Sequence, residues 1–293
     1  MSELTFYIVD VFTERKYAGN QLAVFRGGQK LSDLEMQQIA VEMNYSETTF
    51  ILSEAEHEGG YDVRIFTPQE EVPFAGHPTL GTAHIIRTEI LGGKADRVTL
   101  NLKVGKIPVA FRTEADGLAW MTQIEPVFGA QLRAETLASI LNLAPAEIDA
   151  RFPIEEVSTG LPFMIVPLKN LETLKKAKVN QELYFDLIKD TWAKGILVFC
   201  PEGHSPSNHI SVRVFVDCFS IPEDPATGSG NGCLAGYLVK HRYWGQPKID
   251  VCSEQGYEIG RPSLLYLRAE EKDGRISVYV GGKAITVAKG QFI

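Results

Sequence analysis

Apolar and polar positions alternate with a period of two over several short stretches of this chain, and β-branched and aromatic residues fill them. Strands are predicted there, at 4–11, 22–25, 48–52, 61–66 and 98–104. Between them the apolar period lengthens to that of a helix. From Ser32 to Asn44, the residues Met36, Ile39, Ala40 and Met43 recur at helical spacing, and Ser32 with Glu35 forms an S-x-x-E capping box at the start. A second helix is predicted over 78–91, with Pro78 suited to a first turn and Gly92-Gly93 suited to stopping it.

After Trp120 the pattern begins again, the sign of an internal repeat. Arg64-Ile-Phe66, then Pro73, then Gly76-His77-Pro78 at a helix start parallels Arg213-Val-Phe215, then Pro222, then Gly228-Ser229-Gly230 at a helix start. Tyr45 to Phe50 follows a helix and enters a strand, and Ser158 to Phe163 is matched to it, after a helix predicted over 132–143. The crossing between halves is placed between Ala119 and Val127, where Pro126 separates a strand from the following helix. The predicted division is 1–119 and 120–282, with a final strand at about 283–293 returning to the first half.

At 293 residues and 44% hydrophobic content, the chain can bury two ordinary cores. Its net charge of −8 comes with no dense run of Lys and Arg, which argues against nucleic acid as a partner. An anionic ligand is still compatible if backbone N–H groups bind it. No stretch approaches the ~20 apolar residues that span a bilayer. Residues 1–12 lack the basic start of a signal peptide and read as a first strand, so a cytoplasmic location is expected. Cys200, Cys218, Cys233 and Cys252 form no C-x-x-C pair and read as reduced, buried thiols.

Two glycine-rich helix entrances carry the candidate chemistry. The first N–H groups of a helix have no intrahelical partner and attract anions. Gly76 at the first entrance permits close backbone approach, and His77 can donate or accept a proton near neutral pH. At the second, Glu223 to Gly232 presents Asp224, Gly228, Ser229 and Gly230. Facing one another, two such entrances would bind a carboxylate and stabilise the enolate-like charge left when a proton departs the adjacent carbon, with no metal and no organic cofactor. A dinucleotide fingerprint fails there, since Cys233 stands at the third glycine position.

Glu47, among Tyr45, Ser46, Thr48 and Thr49, is the third element. It is matched in the repeat to Thr159-Gly160, so one half carries a carboxylate there and the other does not. That asymmetry suits one-sided proton transfer. Asp224 is a candidate partner of the substrate or of His77. Asn20, in a Gly-Asn turn, reaches a ligand if that loop borders the site.

Together, Asp10-Val11-Phe12, Gly19-Asn20, Ser46-Glu47-Thr48, Phe74 to Thr79, Ser158-Thr159-Gly160 and Glu223 to Ser229 resemble the phenazine-biosynthesis isomerase family, usually called PhzF-like, over essentially the whole chain. The resemblance implies an α+β fold like that of diaminopimelate epimerase: two pseudo-symmetric domains, each a curved mixed sheet around a central helix, with the active site between them. It also implies a homodimer. Epimerases of the wider superfamily use two cysteines, where this chain has His77 and Ser229. The resemblance makes Glu47 a proton shuttle and carries over at Gly76, His77, Asp224, Gly228 and Ser229. With the reading of the residues themselves, His77 and Asp224 are expected as catalytic partners and Asn20, Ser46, Gly76, Gly228, Ser229 and Gly230 as the residues that bind a small acid. The sequence departs from the family at Gln21, commonly proline, and at Gly230, commonly alanine. A metabolite- or partner-binding protein without turnover, and a two-base racemase, are the alternative functions.

Overall fold

Alternation along Leu4–Val11 sends Tyr7, Val9 and Val11 to one buried face, which makes this segment a strand that a helix can cover. A computed structural model describes residues 4–112, 117–219 and 221–293; the first three residues of the expected opening strand fall outside them. The chain divides into two compact units, Met1–Thr122 with Gly281–Ile293, and Gln123–Val280.

In the first unit, β1 (Leu4–Val11) lies antiparallel to β2 (Asn20–Arg26) on one side and to the C-terminal strand Ala284–Phe292 on the other. Helix α1 (Asp33–Met43) then crosses over to β3 (Glu47–Ile51), parallel to β2. The expected capping box is present: Ser32 accepts from the Glu35 N–H, and the Glu35 carboxylate accepts from the Ser32 N–H at 2.7 Å. β4 (Tyr61–Phe66) pairs antiparallel with β3 and with the short β5 (Glu71–Val72). Helix α2 (Gly76–Ile85) leads to β6 (Arg97–Leu102), parallel to β4, followed by antiparallel β7 (Gly105–Phe111) and β8 (Ala119–Thr122).

The two faces of this sheet meet different helices. Ala23, Phe25 and Phe50 pack with Met36 and Ala40 of α1. On the opposite face, α2 packs against β1, β2, β3, β6, β7, β8 and the C-terminal strand, so the sheet curves around it. Gly81 allows the approach, since a Cβ there would stand 2.5 Å from Leu22 and 2.8 Å from Val11. Beyond Ile85 the helix widens into a π turn, Ile86–Ile90, and stops at Gly92 and Gly93, both left-handed with φ of 64° and 81°.

The second unit opens with β9 (Val127–Leu132), antiparallel to β10 (Ile154–Ser158), with the short α3 (Ala134–Ile140) between them. Leu132 thus belongs to a strand, paired with Ile154, and Pro126 precedes that strand rather than a helix. β11 (Pro162–Pro167) follows antiparallel, and α4 (Leu171–Lys176) with α5 (Gln181–Asp190) crosses over to β12 (Gly195–Cys200), parallel to β11. β13 (Ile210–Val216) pairs antiparallel with β12 and with β14 (Ile221–Asp224). Helix α6 (Gly228–Lys240) leads to β15 (Lys248–Gln255), parallel to β13, and β16 (Ser263–Lys272) and β17 (Arg275–Gly282) complete the unit. Ile196, Val198 and Cys200 face the cluster under α3 and α5, while α6 packs against β10, β11, β15 and β16.

Both units therefore run hairpin, crossover, hairpin, central helix, hairpin, each a curved mixed sheet around one helix. Detail repeats as well. Arg64 pairs with Glu71 and lies 5.0 Å over the Phe66 ring; Arg213 pairs with Glu223 and lies 4.9 Å over the Phe215 ring. Arg64 stands opposite Phe50, and Arg213 opposite Val198, so the counterpart of Glu47 is Gly195. The expected match of Glu47 to Thr159-Gly160 is thus displaced: those residues lie in the β10–β11 turn, which corresponds to the β1–β2 turn. The asymmetry itself stands on Gly195. A Cβ at Gly195 would stand 2.7 Å from the Phe163 ring, so no side chain fits there. Among the described residues, no helix is long and apolar enough to cross a membrane.

Candidate active site

Glu47 is placed by the turn that ends α1. Asn44 adopts the left-handed conformation at the C-cap (φ 53°), Tyr45 and Ser46 carry the chain round, and Glu47 enters β3 opposite Leu22. Ser46 is half-buried beside it, and Asn20, the first residue of β2, is buried at 1% exposure. Thr48 next to Glu47 is fully buried.

His77 is the second residue of α2. Ala75 at the N-cap supplies no side-chain cap, and the ladder of this helix starts with the Thr79 N–H to the Ala75 carbonyl. The amides of Gly76 and His77 precede that first bond and belong to the anion-attracting end of the helix. Nε2 of His77 lies 3.5 Å from Oε2 of Glu47.

Distance alone would make this an ion pair, but burial decides otherwise. Complete desolvation pushes the His77 imidazole down to about 3, against a smaller raising effect from its hydrogen bond to the Gln21 backbone. The ring is therefore neutral at physiological pH. Nε2 makes no hydrogen bond among the described residues, which leaves Nδ1 as the donor to the Gln21 carbonyl and assigns a lone pair on Nε2 toward Glu47. A carboxylic acid at Glu47 can donate across that gap, whereas a carboxylate there finds no donor on the ring.

In the second unit, Asp224 ends β14 at 8% exposure. Its carboxylate accepts a hydrogen bond from the Thr227 hydroxyl. Thr227 is the N-cap residue of α6, and with its hydroxyl turned to Asp224 it makes no side-chain cap. The first ladder bond is the Asn231 N–H to the Thr227 carbonyl at 3.0 Å, so the amides of Gly228, Ser229 and Gly230 precede it. This is the second anion-attracting helix end. Gly230 sits close to Leu197: a Cβ there would be 3.2 Å from it.

Sequence patterns missed what holds this loop. Gln255, at the end of β15, donates to the Asp224 carbonyl at 2.8 Å and to the Thr227 hydroxyl at 3.0 Å, and accepts from the Thr227 N–H at 3.1 Å and from Asn231 Nδ2 at 2.8 Å. All four hydrogen-bonding positions of one buried amide are filled. Asn231 in turn accepts from the Ser253 hydroxyl at 2.8 Å. Gln21 was visible only as a departure from the family pattern, and its role runs through its carbonyl, which side-chain identity does not advertise.

Burial raises the Cys200 and Cys233 thiols to about 12, which makes both poor nucleophiles and poor acids at neutral pH. The cysteine pair of an epimerase is not reproduced at the two helix entrances, where His77 and Ser229 stand. Among the described residues, no group of three or more His, Cys, Asp or Glu is placed to hold a metal ion.

The model of a family described as phenazine biosynthesis-like protein (PhzC-PhzF) matches residues 9–290. The chain is 35% identical over 292 residues to the trans-2,3-dihydro-3-hydroxyanthranilate isomerase of Pseudomonas aeruginosa, with 98% of each chain covered. It is 33% identical to an uncharacterized isomerase of Clostridium acetobutylicum, covering 98% of this chain and 97% of the relative. The crystal structure of a PhzF-family phenazine biosynthesis protein from Bacillus anthracis superposes with a TM-score of 0.91 at 26% identity, over the whole of both chains. The chain belongs to the phenazine biosynthesis-like PhzC-PhzF family and is an isomerase of that family.

Proposed function

We propose that this isomerase shifts a proton on a small carboxylate-bearing metabolite by general acid/base chemistry, without a cofactor, and that Glu47 carries the proton. The observation that supports this most directly is the 3.5 Å apposition of Glu47 to a neutral His77. The Glu47 carboxylate takes a proton from a ligand C–H, and the bonding pair passes into the adjacent unsaturated system. The carboxylic acid so formed is the state to which the His77 Nε2 lone pair offers a hydrogen bond. It then returns the proton to a different carbon, which restores the carboxylate and leaves atoms and charge balanced.

The amides at the start of α2, and those of Gly228, Ser229 and Gly230 at the start of α6, serve the ligand carboxylate and the negative charge that develops during transfer. Asn20 and Ser46 line the ligand beside Glu47, and Asp224 positions it. The proposal extends, on family resemblance alone, to a cytoplasmic homodimer, whose mass sedimentation would measure.

Incubation in deuterated water tests the reading. The probe is trans-2,3-dihydro-3-hydroxyanthranilate, the compound in the name of the Pseudomonas aeruginosa relative. The wild type is expected to incorporate deuterium at carbon, and Glu47→Gln to lose at least ~100-fold in rate. Equal incorporation by both proteins would remove Glu47 from the mechanism.

A further inference from the structure

Three buried amides in the second unit lie on or against α6, and one differs from the others. Gln255 and Asn231 are both engaged through nitrogen and oxygen. Gln123 is also buried, at 8% exposure, yet neither its Oε1 nor its Nε2 has a hydrogen-bond partner among the described residues. Its backbone is firmly held, the N–H donating to the Val278 carbonyl at 2.9 Å. The side chain is therefore fixed at its root and uncommitted at its tip.

That tip lies beside the early turns of α6. A Cβ added to Gly232 would stand 3.1 Å from Cγ of Gln123, 3.2 Å from its Oε1 and 3.0 Å from the Thr159 hydroxyl. Glycine at 232 is what leaves room for the amide. Thr159 does not satisfy it: its hydroxyl donates to the Ser229 carbonyl at 3.4 Å and makes no hydrogen bond with either atom of the Gln123 amide. A buried amide with donor and acceptor both unmet is unfavourable in a folded protein, and such groups concentrate where a ligand completes them.

We propose that Gln123 is a specificity-determining residue that reads a hydroxyl or primary amino substituent on the acid. This rests on the proposed binding of a small carboxylate at the start of α6. A carboxylate only accepts, so it could satisfy Nε2 and would leave Oε1 unmet. A hydroxyl or amine both donates and accepts, and so completes the amide. A site built this way discriminates against an analogue lacking the group, because binding that analogue leaves the buried amide unpaired.

Calorimetry with benzoate, 3-hydroxybenzoate and anthranilate separates the outcomes. The wild type is expected to bind at least one of the substituted acids about tenfold more tightly than benzoate. Gln123→Met, which keeps the length and removes the hydrogen bonds, is expected to bind benzoate within about threefold of wild type and to lose the preference. Should Gln123→Met fail to fold, Gln123→Asn withdraws the amide by one methylene and should lose the same preference. A wild type without preference, or a folded variant that retains it, overturns the assignment and leaves the proposed function intact. Failure of the wild type to bind any of the three acids overturns the anion site, and this assignment with it.

Discussion

His77 turns an unprotonated Nε2 toward Glu47 at 3.5 Å while its other nitrogen is tied to the Gln21 carbonyl. The pair can hold one proton on the carboxyl side without forming a charged imidazolium. Because the imidazole is held down to about 3, it does not titrate anywhere near physiological pH. Replacing it with Gln should lower turnover by roughly 100-fold through lost alignment. The shape of the pH–rate profile between pH 5 and 8 should be unchanged. A wild-type step near 6.5 that disappears in His77→Gln would show that the ring is charged in action and would overturn this assignment.

Gln255 should behave as a positioning residue. Gln255→Leu removes one hydrogen bond each from the Asp224 carbonyl, the Thr227 N–H and Asn231 Nδ2 in a buried setting, although Asn231 Nδ2 keeps its bond to the Thr227 carbonyl at 3.1 Å. The expected loss is about 3 kcal/mol, measured by urea denaturation. Thr227 loses only part of its bonding, since its hydroxyl still reaches Asp224. A loss below ~1 kcal/mol would mean that the loop keeps its shape unaided.

The contrast between these two residues shows what the sequence made legible. Features governed by neighbours a few residues apart were readable: the Ser32–Glu35 cap, the alternation of β1, and the glycine-rich starts of α2 and α6. Gln255 is 31 residues from Asp224 and reaches it through the parallel pairing of β13 with β15, which no local pattern announces. The register of the repeat was misread for a related reason. The crossover between β2 and β3 is one helix, whereas that between β11 and β12 is two, so equal spacing does not carry Glu47 to Gly195. The proline at 126 signalled a break in pattern but not the kind of element that follows.

The two arginine–glutamate pairs should not be equivalent energetically. Arg213 and Glu223 are each 9% exposed, and Arg213 also donates to the Leu174 and Ala177 carbonyls. Glu223→Ala would strand a guanidinium in the interior, at a cost of about 3–5 kcal/mol. Arg64 is more exposed, at 21%, and keeps Asp33 as a second partner at 2.5 Å. Glu71→Ala should therefore cost about 1–2 kcal/mol. Equal losses in denaturation would mean that burial does not govern these pairs.

His84 gives a pH dependence of stability. It lies on α2, with Nε2 3.3 Å from the Thr286 hydroxyl, and burial is the larger cause that brings it down to about 4, with the Arg87 charge adding to it. The unfolded chain binds this proton below about 6.5 and the folded chain does not until about 4, so stability falls with falling pH across that window. Between pH 6.5 and 5 one such group contributes up to about 2 kcal/mol of the fall. His84→Gln retains a polar partner for Thr286 and should shrink the difference between denaturation midpoints at pH 7 and pH 5. An undiminished difference would assign the acid sensitivity to other groups.

Gly195 tests the asymmetry between the units most directly. It occupies the position of Glu47, yet a Cβ there would meet the Phe163 ring at 2.7 Å and Val216 at 3.0 Å. Phe163 is fully buried and cannot retreat without displacing its neighbours. Gly195→Ala should therefore destabilise by about 1–3 kcal/mol, even though alanine ordinarily suits a strand better than glycine. Deuterium exchange by the remaining folded protein should stay close to wild type, because Gly195 is not among the residues proposed to touch the ligand. A stable Gly195→Ala protein would show room for a side chain at this position. The absence of a second carboxylate would then need a reason other than packing.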